Sequence, residues 1–135
     1  MIEALVFPDT RDALFDLING ATHLGETVTA GYVIPADTYG AIQGPFPFAL
    51  IYTTGGTKGF IDRVDRATVE VYAPGQQAVN TLESIFASII GADIETPSGH
   101  LDGIESDIMP VDVPYQSDTL NRATGSLLVT SRPIN

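Results

Sequence analysis

The stretch "RATVEVYAPGQQAVNTLESIFASIIG", Arg66–Gly91, changes its period in the middle, and that change decides the fold class. Up to Ala73 the pattern alternates: Ala67, Val69, Val71 and Ala73 fall on one face, while Arg66, Thr68, Glu70 and Tyr72 fall on the other. A period of two marks a half-buried strand. Pro74-Gly75 breaks the run, after which Ala78, Val79, Leu82, Ile85, Phe86, Ile89 and Ile90 recur at helical spacing as far as Gly91. An apolar stripe this wide predicts a helix that gains most of its stability by covering a sheet.

Toward the N-terminus, "PDTRDALFDLINGATHLG" places Ala13, Leu14, Leu17, Ile18 and Ala21 on one helical stripe. Asp9 or Thr10 is positioned to cap it, Asp9 and Asp12 suit its positive end, and Gly20 or Gly25 offers a stop. A strand is expected near Thr27–Ile34 and another near Phe46–Thr54, joined by a Gly/Pro-rich surface loop. The run Phe60–Asp65 alternates poorly and carries charge on both faces, as expected of a hairpin projecting beyond the sheet. Beyond Gly91, "GADIETPSGH" reads as a polar connector, followed by two strands joined by a turn around Tyr115–Thr119. In the last of these, Leu127 and Val129 face one way and Leu128 and Thr130 the other, which predicts a central strand. The expected fold is α+β: one domain over residues 1–135, a mostly antiparallel β-sheet with two α-helices packed on one face.

With 135 residues and 44% hydrophobic residues, the chain suits one domain. It carries 17 acidic residues against six Lys and Arg, a formal charge of -11. Such a surface repels nucleic-acid phosphates and anionic lipids, although an acidic wall also lets a polyanion pass without sticking. The absence of cysteine excludes disulfides and thiolate chemistry, and His23 and His100 are too far apart to suggest a metal site. The start "MIEALVFPDTRD" lacks a signal-peptide pattern, and no window approaches the roughly 20 apolar residues of a membrane span. The expectation is a protein made in, and soluble in, a cytoplasm.

Candidate chemical sites are weak. "TTGGTKGF" beside "IDRVDR" suggests a phosphate loop, but the spacing G-x-x-x-x-G-K-[ST] is absent and a strand follows instead of a helix. A hairpin connection is the better reading, with Gly55, Gly56 and Gly59 supplying positive φ. "DGIESD", with Asp102, Glu105 and Asp107, does not have the order of a calcium loop and reads as a solvated face. Ser98, His100 and Asp102 can be assembled into a triad on paper, but no nucleophile elbow surrounds them. His23 reads as a cap just past the first helix. No catalytic residue, cofactor or metal is expected, and a small acidic metal-dependent hydrolase is the minor alternative.

Taken in order, "FPDTRDALFDLI", "TVTAGYVIP", "PFALIYTTGG", "DRATVEVYA", "QQAVNTLESIFASIIG" and "VDVPYQSDTLNRATGSLLVTSRPI" resemble tail terminator proteins of long, flexible-tailed bacteriophages. The resemblance covers nearly the whole chain and rests on order, spacing and length. It implies a structural virion protein at the tail neck, assembled in the host cytoplasm. It further implies a ring, commonly of six copies, bound to the tail tube protein and to the head-tail connector stopper, with DNA passing through. A stopper or other neck protein is the alternative within that machinery. The long loop Ala36–Pro47 departs from the family pattern. Head-to-tail ring contacts need two complementary patches. The expected ones are a basic hairpin with Thr57, Lys58, Phe60, Arg63 and Arg66, received by Asp102, Glu105 and Asp107 of the neighbour.

Overall fold

The computed structural model describes residues 7–40, 42–58, 63–115, 117 and 119–133. In chain order the elements are α1 (Thr10–Ile18), β1 (Thr22–His23), β2 (Glu26–Thr27), β3 (Thr29–Gly31), β4 (Phe48–Lys58) and β5 (Arg63–Ala73). They continue with α2 (Gln77–Ile89), β6 (Gly91–Thr96), β7 (Gly99–Val113) and β8 (Asn121–Ser131). The fold is α+β, mostly sheet with two helices.

Helix α1 starts at Asp9, whose carboxylate accepts the amide of Asp12 at 3.1 Å. At its other end Asn19 accepts the Ala30 amide through its side chain at 3.0 Å, which fixes the helix to β3. Helix α2 has no side-chain cap, so burial must hold it. Its buried positions Ala78, Leu82, Ile85, Phe86 and Ile89 are those of the sequence stripe, joined by Thr81, while Ile90 is exposed at the C-cap.

Six strands form one sheet in the order β3-β4-β5-β8-β7-β6, with only the β3–β4 pair parallel. Strand β8 is central, between β5 and β7, as its two apolar faces predict. Ala49, Ile51, Ala67, Val69, Val71, Ala123, Leu127 and Val129 supply one side of the core. Apolar side chains from both helices join the same cluster.

Three sequence expectations change. The strand near Thr27–Ile34 is instead a separate β1–β2 hairpin followed by a three-residue β3. Its turn is Leu24-Gly25, with φ of 54° and 82°, and the leucine there gives no sequence cue to a left-handed turn. The supposed connector "GADIET" is strand β6, a sheet edge whose mostly exposed side chains leave no apolar alternation to read. Gly55-Gly56 is not the hairpin turn: the β4–β5 register shifts between Thr53 and Gly56, and pairing resumes through Lys58↔Arg63. A Cβ on Gly56 would lie 1.9 Å from the Val64 carbonyl oxygen, so the bulge requires glycine. The expected tip, with Gly59 and Phe60, lies outside the described residues, as do the side chains of Thr57 and Lys58.

Candidate functional site

Because side chains alternate along a strand, the residues between the core positions form a second sheet face. Register aligns them in rows across β4, β5, β8 and β7: Tyr52–Thr68–Ser126–Ile108, then Leu50–Glu70–Thr124–Val111, then Phe48–Tyr72–Arg122–Val113. This face is open. Ile108 is 56% exposed, Val111 48% and Tyr52 37%, so apolar groups face solvent among threonines.

Arg66 lies on this face and donates from Nε to Asp107 Oδ2 at 2.8 Å. Ser126 Oγ donates to the same carboxylate oxygen at 2.8 Å. The Ser126 hydrogen bond, then Arg66, hold the Asp107 carboxyl below its ordinary value. Asp107 is the extra residue at the Ser106/Ile108 register shift of β7, which explains how a residue outside the alternation reaches Arg66. Beside the pair is a shallow recess of about 260 Å³ between Thr68, Ile108, Thr124 and Gly125.

At the other end of the face, a cleft of about 470 Å³ is lined by Asp112, Val113, Tyr115 and Arg122. Arg122 donates from Nη2 to the Pro114 carbonyl at 3.1 Å and lies 5.7 Å over the Tyr115 ring. Tyr115 in turn meets Tyr72 edge-on, with centroids 5.4 Å apart. The Nε of Arg122 is buried without a hydrogen-bond partner, and among the described residues Arg122 forms no ion pair.

Of the residues expected to form one basic patch, Arg63 and Arg66 are separated. Arg63 alternates onto the opposite face from Arg66, where it donates to Asp65 Oδ1 at 2.9 Å and lies over the Phe7 ring. Asp65 is buried and accepts the Thr10 hydroxyl at 2.5 Å, tying the start of α1 to β5. The acidic set divides as well. Glu105 pairs in register with Leu128 on the open face, whereas Asp102 accepts Arg132 Nε at 2.9 Å. Between the expected basic and acidic sets, Arg66–Asp107 is thus the one side-chain pair in direct contact among the described residues, and it lies within one chain.

The paper triad also comes apart. Ser98 Oγ donates to Asp16 at 2.7 Å, and His100 Nδ1 meets Glu95 at 2.5 Å while Nε2 lies 3.5 Å from Asp93 and 3.8 Å from Asp102. The Glu95 hydrogen bond, reinforced by Asp93, raises the His100 pKa. His23 does not cap α1; its Nδ1 lies 2.8 Å from Ser84 Oγ on α2, and burial lowers its pKa. Among the described residues, no group of three or more His, Asp or Glu could hold a metal ion, and no helix is long and apolar enough to cross a membrane.

Sequence reasoning missed Arg122 and the Ile108–Val111 strip. The alternation of β8 could have placed Arg122 beside Thr124 and Ser126, but the bulges of β7 erase any such signal for Ile108.

No family model matches the chain, and a search of curated proteins finds no relative. Among solved structures, the fold is similar to that of a chain from the "Virion of native gene transfer agent (GTA) particle", with a TM-score of 0.63 and 13% identity. The match spans 91% of this chain and 94% of that one.

Proposed function

We propose that this chain is a structural virion protein that terminates a phage-type tail tube as a ring, commonly of six copies, and joins it to the head connector. The observation that carries the reading is the fold shared, nearly end to end, with a chain of a gene transfer agent virion. The order of sequence segments supports the narrower role of terminator. In this reading the partners are further copies of the chain, the tail tube protein and the connector stopper, and the site is the tail neck. DNA passes through the ring without specific recognition, and the protein has no catalytic role. Arg66, Glu105 and Asp107 on the open face, with Arg63 and Asp102 elsewhere, are proposed contact residues, together with Thr57, Lys58 and Phe60.

Incubation of the purified protein with growing tail tubes tests this. A terminator binds one tube end and fixes the length distribution seen by electron microscopy. Binding to the connector without any effect on tube growth points instead to a stopper, and binding to neither overturns the reading.

A further inference from the structure

The open face differs from the rest of the molecule in charge. It carries Arg66 and Arg122 against Glu70, Glu105 and Asp107, with Asp112 at the rim of the Arg122 cleft, whereas the chain as a whole has a formal charge of -11. Two copies approaching through their acidic surfaces repel each other. The nearly balanced face is where a copy can approach at least cost, and Arg122, cationic and in no ion pair among the described residues, favours an acidic visitor. Exposed Ile108 and Val111 add apolar area that association would bury.

A head-to-tail contact also needs a second, different patch on the same chain. The loop after β3 offers one. Tyr39 is 94% exposed at its tip, yet the turn beneath it is pinned: the Tyr39 amide donates to Asp37 Oδ1 at 2.8 Å and the Gly40 amide to the Asp37 carbonyl at 3.0 Å. A bridge between Ala36 and Ile42 closes the base. An aromatic ring held in solvent on a preorganised turn loses little freedom when it is buried by a partner, which makes it a natural anchor.

We propose that the open sheet face is the docking surface for a second copy of this chain, which brings its Tyr39 turn onto the Ile108–Val111 strip and its acidic surface to Arg122. This deepens the ring reading above and rests on it. The contact is heterologous, so each copy both offers a turn and receives one.

Because the chain has no cysteine, single-cysteine variants report the contact directly. Tyr39→Cys and Ile108→Cys proteins, mixed at high concentration under a glutathione redox buffer, should form the mixed disulfide several-fold in excess of either like pair. Arg122→Glu should weaken self-association of the otherwise unmodified protein about ten-fold or more, measured by sedimentation. Prevalence of the Ile108–Ile108 pair, meaning face-to-face stacking, overturns the proposal, as does a protein that stays monomeric up to millimolar concentration. Protection of Ile108→Cys from alkylation by tail tubes or by DNA, but not by copies of the chain, overturns it in favour of those occupants. Tubes that are capped without any mixed disulfide leave the terminator reading standing and remove only this one. A mixed disulfide in a protein that fails to cap tubes does the reverse.

Discussion

Gly56 shows at residue scale how a small side chain can fix a long strand. With Val64 O 1.9 Å from where a Cβ would stand, Gly56→Ala must displace backbone in β4 or β5. The expected cost is about 1–3 kcal/mol, from the general penalty of overpacking, read as a lower urea midpoint. The sequence marked this glycine as special but not the reason, because a bulge and a turn both demand residues without a Cβ. His23 is a second case. Its ordinary value is 6.5 and burial lowers it, so as pH falls the unfolded chain takes up the proton first. Its contribution is therefore present above 6.5 and is lost as pH falls through the folded value. An NMR titration should place its midpoint below 6.5, and His23→Gln should flatten the acid side of the stability profile near that pH. The sequence reading set His23 at a helix end because it sees only neighbours in the chain, and Ser84 is distant there.

At the scale of elements, the two helices rest on different physics. Asp9 caps α1, and Asp9→Ala should cost about 1 kcal/mol. Leu82, fully buried in the uncapped α2, should cost about 2–5 kcal/mol as Leu82→Ala, so thermal melts of the two variants should separate clearly. This ranking was legible beforehand, because α2 carries the wider apolar stripe. Strand β6 was not legible, since an exposed edge has no face that the core must select. It is held to β7 in part by His100, which meets Glu95 and Asp93 on β6 and Asp102, itself paired with Arg132. A histidine whose value is raised contributes fully below pH 6.5, and the contribution is lost as pH rises through the folded value. Hydrogen exchange of the β6 amides, corrected for intrinsic rates, should therefore accelerate as pH rises across that value, and His100→Gln should remove the step.

For the whole molecule, the dominant fact is a surface charge of -11 with one nearly balanced face. If copies meet there, their remaining acidic surfaces still repel through solvent. Raising ionic strength from about 0.01 M to 0.15 M shortens the screening length from roughly 30 Å to 8 Å and should strengthen self-association, as sedimentation can measure. Composition alone gives the charge. It could not foretell the open face, because that depends on which strands lie side by side. The sequence did reveal that β8 lies at the centre of the sheet, and this has a consequence for synthesis. On one side of β8 stand β3, β4 and β5, on the other β7 and β6, and every one of them precedes it in the chain. A ribosome therefore releases both flanks before the strand that joins them, and the sheet closes only after Asn121–Ser131 has emerged. Such late, long-range closure makes folding slow. It also means that the four-strand face exists only once that last strand is in place, so no neighbour can dock there on a chain that still lacks it.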